Sequence, residues 1–138
     1  MKSLLAACIA CAIASTQVFA LPICGITDFD FDGDSDIDDI VALSEAVKEN
    51  NPNDIPLFDV NCDGYLTQED LIAWNDILGY QLGDVNLDGS FDLDDLDIVY
   101  SAGEFEDGIP GNSNYLEGDF NGDGDFDSSD IVLAMELL

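Results

Sequence analysis

A mainly α architecture is predicted, arranged as two tandem modules, each a pair of units in which a loop runs into an exiting helix. Three observations predict it. A twelve-residue pattern occurs four times, at 28–39, 59–70, 84–95 and 119–130, with Asp at positions 1, 5 and 12, Asp or Asn at 3 and Gly at 6. Each copy is followed by a short apolar pattern of helical period. Most of the segments ahead of the copies hold prolines or glycines that bar an entering helix.

In chain order, the first 20 residues read MKSLLAACIACAIASTQVFA. Lys2 is a short basic start, Leu4 to Ala14 an apolar core, and Val18-Phe19-Ala20 a small-residue cleavage site, the layout of a secretory signal peptide. The apolar run is too short to span a bilayer, and no later run has the length a membrane helix needs. Leu5-Ala6-Ala7-Cys8 resembles a bacterial lipobox, but a lipid-bearing Cys8 would leave almost no apolar run ahead of it. Cleavage after Ala20 places the mature chain outside the cytoplasm, secreted or in the periplasm and cell envelope.

The mature chain keeps Lys48 as its one base against all 31 acids, a net charge of minus 30. Such a chain repels itself and needs cations or salt to become compact, and that charge argues against a nucleic acid or an anionic membrane as partner. Hydrophobic residues nonetheless make up 47% of the full sequence, which argues against disorder once cations are present. Cys8 and Cys11 leave with the signal, so Cys24 and Cys62 remain. Two thiols outside the cytoplasm suggest one bridge, from just ahead of the first loop to position 4 of the second; the alternative is a pair of free thiols. Zinc is poorly supported, because the chain has no histidine and its one CxxC lies in the signal.

The spacing of the four patterns is that of a calcium loop. Calcium takes six to eight oxygens, and a short chain encircles it only by turning sharply at position 6, where glycine tolerates the backbone angles. Counting positions 1, 3, 5, 7, 9 and 12, the candidate ligands of the first loop are Asp28, Asp30, Asp32, Asp34, Asp36 and Asp39. Those of the second are Asp59, Asn61, Asp63, Tyr65, Thr67 and Asp70. The third offers Asp84, Asn86, Asp88, Ser90, Asp92 and Asp95, and the fourth Asp119, Asn121, Asp123, Asp125, Asp127 and Asp130. Position 7 contributes its backbone carbonyl. Up to four Ca²⁺ ions are therefore expected. Asp, Asn and Gly are also ordinary turn formers, but turns accept them in any order, whereas coordination requires one spacing, and it recurs four times.

Behind the loops, Ile40, Leu43 and Val47 share a helical face, as do Leu71, Trp74 and Leu78, then Leu96 and Val99, then Ile131, Ala134 and Leu138. An ordinary EF-hand also has an entering helix. Here seven residues separate the cleavage site from Asp28, Pro52 and Pro56 interrupt the approach to the second loop, Gly79 and Gly83 precede the third, and GIPGNSN disrupts the approach to the fourth. The units are half EF-hands.

A secreted DxNxDG loop with Asp at 12, an apolar residue next, an exiting helix and no entering helix resembles a dockerin repeat. The stretch 83–138, including EFEDGIPGNSNYLEGDFNGDGDFDSSDIV, resembles the dockerin-like repeats at the C-termini of large secreted planctomycete proteins. The resemblance covers nearly the whole mature chain. It implies calcium-ordered pairs of loops that dock onto a cohesin-like partner, a role linked to the assembly of polysaccharide-degrading enzymes. An enzyme is a distant third reading: a glycosidase needs two carboxylates flanking a cleft, but most aspartates are assigned to calcium and two small modules leave little room for a cleft. In that family, loop positions 10 and 11 often contribute to the cohesin contact. Ser128 and Ser129 match its small hydroxyl pair, whereas Ile37 and Asp38, Gln68 and Glu69, and Leu93 and Asp94 do not. The two serines also read as ordinary first residues of a helix.

Loop intervals pair loop 1 with loop 2 and loop 3 with loop 4, giving modules at 21–80 and 81–138. Apolar residues at position 8 (Leu66, Phe91, Phe126) are expected to meet across a short two-stranded pairing, with Ser35 as the exception in loop 1. Beside the docking reading stands a second one, a free-standing acidic calcium-binding structural or buffering protein of the envelope.

Overall fold

The structure, a computed structural model, describes residues 24–138; the expected signal peptide at 1–20, with Cys8 and Cys11, lies outside the described residues. Five α-helices and one 3₁₀ turn form among the described residues, in the order α1 (Ile37–Glu49), α2 (Ile55–Phe58), α3 (Gln68–Leu78), α4 (Leu93–Ala102), the 3₁₀ turn Tyr115–Glu117, and α5 (Ser128–Glu136). The mainly α expectation holds. No described residue is in a β-strand.

The four longer helices begin alike. Loop position 9 (Asp36, Thr67, Asp92, Asp127) is the N-cap, its side chain accepting from the amide two residues on, while the carboxylate at position 12 reaches back to the N-cap amide. This is a capping box, in which two otherwise orphaned amides of the first turn are satisfied reciprocally. Three helices end in left-handed residues, Asn50, Gly79 and Gly103.

The core is built from the loops as well as the helices. Position 2 of every loop (Phe29, Val60, Val85, Phe120) is buried, and so is the residue four after each loop (Leu43, Trp74, Val99, Ala134). Leu66, Phe91 and Phe126, at position 8, are buried too. Each buried Val, Leu or Phe side chain among them contributes on the order of 1.5 to 3 kcal/mol. These residues form one cluster running through both halves of the chain. α1 packs on α3 and also on the 3₁₀ turn of the second half, which in turn packs on α4.

Three expectations are corrected. The position 8 residues do not pair as strands: the Phe91 amide donates to Gln81 Oε1 at 2.6 Å, and the Phe126 carbonyl accepts from the Glu106 amide at 2.9 Å. A side chain and the long connector supply the partners that a strand would have supplied. Leu138 is exposed, because α5 stops at Glu136, short of the turn that would have placed Leu138 beside Ala134. The approach to loop 2 does contain a helical turn, α2, with Pro56 in its first turn, where a missing amide costs nothing.

Candidate metal loops

All four loops fold around their own side chains, and most of the contacts recur in every loop. The position 12 carboxylate is almost fully buried in each, at 2% exposure for Asp39 and 0% for Asp70, Asp95 and Asp130. Its Oδ1 accepts from the amides of positions 2 and 3. For position 2 the distances are 2.6 Å from Phe29 and 2.9 Å from each of Val60, Val85 and Phe120. Its Oδ2 accepts from the position 9 amide at 2.9 to 3.0 Å. The carboxylate thus staples the start of the loop to its end. Each oxygen has two lone-pair sites, so Oδ2 keeps one.

Position 1 holds the turn at glycine. Oδ2 of Asp28, Asp59, Asp84 and Asp119 accepts from the glycine amide of position 6, at 3.1, 2.9, 2.7 and 2.8 Å. Position 3 (Asp30, Asn61, Asn86, Asn121) accepts from the position 5 amide, and position 5 (Asp32, Asp63, Asp88, Asp123) from the position 7 amide, all at 2.8 to 3.2 Å. Gly33, Gly64, Gly89 and Gly124 have φ between 90° and 109°, the range that favours glycine.

Position 4 is left-handed as well, with φ of 61° at Phe31, 62° at Cys62, 56° at Leu87 and 77° at Gly122. The sequence reading missed this requirement, and only Gly122 signalled it. A non-glycine residue held there costs on the order of 1 to 2 kcal/mol, which the surrounding amide hydrogen bonds offset. In loop 2 the position 4 residue is further anchored: Cys62 is bridged to Cys24, with Cα atoms 5.6 Å apart, and the Gly25 amide donates to the Val60 carbonyl at 3.2 Å.

Loop 1 departs from the common pattern. In loops 2, 3 and 4 the position 5 amide also donates to Oδ1 of position 1, at 3.1, 3.1 and 3.0 Å. In loop 1 Oδ1 of Asp28 is buried and has no hydrogen-bond partner. Carboxylate oxygens of Asp28, Asp30 and Asp32 lie within 4.8 Å of one another. Crowding shows in the acidities. Asp34 is raised by its hydrogen bond with Asp32 and by that neighbour's charge. Asp30 is raised too: the Asp32 amide pulls it down, but desolvation and repulsion from Asp32, Asp39 and Asp28 outweigh that.

Burial governs the other loops. It pushes Asp119 up to about 7 and Asp130 up to about 6, against the amide hydrogen bonds that favour the charged forms. Asp84 and Asp70 rise for the same reason, with repulsion from Asp95 and Asp59 across their loops adding to it. In loop 4 the Ser129 hydroxyl and amide both donate to Asp127, at 2.6 Å each, and hold its carboxyl below the usual range.

The donor set fits calcium. Every candidate side-chain ligand offers oxygen, the hard donor this cation takes. The orphaned, buried Oδ1 of Asp28 lacks the compensating partner that a buried carboxylate oxygen requires. Of the candidate docking pair, Ser128 and Ser129 are both exposed at the start of α5, and Ser129 also accepts from Asn121 Nδ2 at 3.1 Å. No helix among the described residues is long and apolar enough to cross a membrane. No family model matches this sequence, and neither a curated protein nor a solved structure gives a match.

Proposed function

We propose that this chain is a secreted calcium-binding protein of dockerin-like type, whose four loops each order one exiting helix around a bound ion. The observation that carries the reading is the repetition of one side-chain-to-amide pattern in four loops whose intervening segments differ. Positions 1, 3, 5, 9 and 12 would hold the ion with side-chain oxygens and position 7 with its carbonyl. Bound calcium supplies positive charge that compensates clustered carboxylates. The chain's own residues do the rest: position 12 closes the loop, position 9 caps the helix, and glycine at 6 lets the backbone turn.

The ordered helices then serve as a docking surface for a cohesin-like partner. Ser128, Val132 and Met135 favour this over a purely buffering role, since they are exposed and spaced to lie along one face of α5. The free-standing envelope protein is the competing reading. Chelation should remove most of the helical far-ultraviolet circular dichroism, because binding and folding are coupled when carboxylates must be held together; an unchanged spectrum would refute the calcium reading. Pull-down from the source organism's secreted proteins, with calcium and then chelator, separates the two roles: one calcium-dependent partner supports docking, and none supports the envelope reading.

A further inference from the structure

We propose that loops 1 and 4 bind calcium as a coupled pair, across the midpoint of the chain, with the C-terminal half of α1 as the coupling element. The proposal rests on the calcium reading above. α1 begins in loop 1, where Asp36 and Asp39 cap it, and its far end lies against loop 4. A Cβ added at Gly122, position 4 of loop 4, would stand 2.5 Å from Val47 Cγ1 and 3.4 Å from Leu71 Cδ1. One added at Gly124, position 6, would stand 2.8 Å from Lys48 Cδ. The other loops carry Phe31, Cys62 and Leu87 at position 4; loop 4 has the one residue that lets α1 approach this closely.

Polar contacts hold the same seam. Lys48 Nζ donates to the Ser113 carbonyl at 3.3 Å, and the Ser113 amide donates to the Gly124 carbonyl at 2.8 Å. A further link, from loop 1 to loop 3, crosses the midpoint through α3. Trp74 Nε1 donates to the Thr27 carbonyl at 2.8 Å, one residue ahead of loop 1. The adjacent Asn75 donates through Nδ2 to the Tyr115 hydroxyl at 3.3 Å, and that hydroxyl accepts from the Gly83 amide at 2.9 Å, one residue ahead of loop 3.

Ordering of loop 4 therefore fixes the surface on which Val47 and Lys48 rest. That favours the helical state of α1 and with it the capping geometry of Asp36 and Asp39. Coupling of this kind is reciprocal: whatever loop 4 does to loop 1, loop 1 does to loop 4 by the same factor.

Trp74 is the single tryptophan, so its fluorescence senses the start of loop 1 together with α3 behind loop 2. The test is a calcium titration of the mature chain read by Trp74 fluorescence, with calorimetry in parallel to count sites. Asp119→Asn, which removes a loop 4 charge while keeping an oxygen acceptor, should raise the calcium midpoint of the Trp74 signal by about fivefold or more. In a Val47→Ala background the same change should move it little. Should Val47→Ala not fold, Lys48→Ala removes the contact with Ser113 from the α1 side, outside the loop, and completes the comparison. One site fewer in Asp119→Asn with an unmoved Trp74 midpoint overturns the coupling alone. No calcium heat and no fluorescence change in the wild-type chain overturns the calcium reading and this proposal with it.

Discussion

At the scale of single residues, position 12 shows how one side chain serves both the loop and its helix. Asp130 accepts from the amides of Phe120, Asn121 and Asp127 while standing as the third residue of α5's first turn. Position 9 divides the loops, since Thr67 caps α3 where the others use aspartate. Thr67→Ala should destabilise the calcium-loaded protein by about 1 kcal/mol, read by urea denaturation, as removal of an N-cap acceptor does. The buried aspartates also set a pH dependence. Asp119 titrates at about 7 and Asp130 at about 6 in the metal-free fold, while unfolded aspartates titrate near 4. Across that window the folded chain holds more protons than the unfolded one, so metal-free stability should fall as pH rises from about 4 to about 7. On the proposed calcium reading, excess calcium should reverse the trend, because an ion held in the loops would favour the ionised carboxylates. Helical circular dichroism against pH, in chelator and in calcium, checks both signs.

At the scale of the element, the four loop-plus-helix units share a backbone but differ in charge and support. Counting aspartates at positions 1, 3, 5, 9 and 12, loop 1 has five, loops 3 and 4 four each, and loop 2 three. Charge alone ranks loop 1 first. Yet its carboxylates crowd one another, and Asp28 lacks the position 5 amide that steadies Asp84 and Asp119. Loops 3 and 4 place Phe91 and Phe126 in the core, and Phe120 stands edge-on to Phe91 at 5.9 Å between ring centres. Loops 3 and 4 should therefore bind most tightly, affinity following both carboxylate count and rigidity. Asp84→Ala or Asp119→Ala should each lose a tight site in calorimetric titration, and Asp59→Ala should cost less. A larger loss from Asp59→Ala would mean that rigidity had been overweighted against charge.

For the molecule as a whole, the tandem modules expected at 21–80 and 81–138 share their interior. Tyr115 from the second half is fully buried with Asn75 from the first, and burial pushes its hydroxyl far above the usual tyrosine range. Lys48, the one base among the described residues, pairs with Glu45 at 2.7 Å and also reaches the second half. The Cys24–Cys62 bridge closes a sequence separation of 38 residues around loop 1. Replacing both cysteines with serine should lower the stability of the calcium-loaded protein by about 4 kcal/mol, read by chemical denaturation, by limiting the unfolded chain less.

The loops were legible residue by residue because their geometry is local. Asp28 to Gly33 or Asp119 to Gly124 spans five residues, so side-chain reach and glycine's backbone freedom settle the turn, and Asp at 12 with Asp or Thr at 9 settles where each helix starts. The helical faces followed from period, except at Leu138, where the end of α5 and not the pattern decides exposure. Contacts between units were not legible. That Phe126 would meet Glu106 and not Phe91, that Gly122 would receive Val47, and that Tyr115 would lie under Gly83 depend on which apolar surfaces meet. Apolar side chains carry no address; burial is non-directional, and the docking of one unit on another is fixed by shape only once all the units have formed.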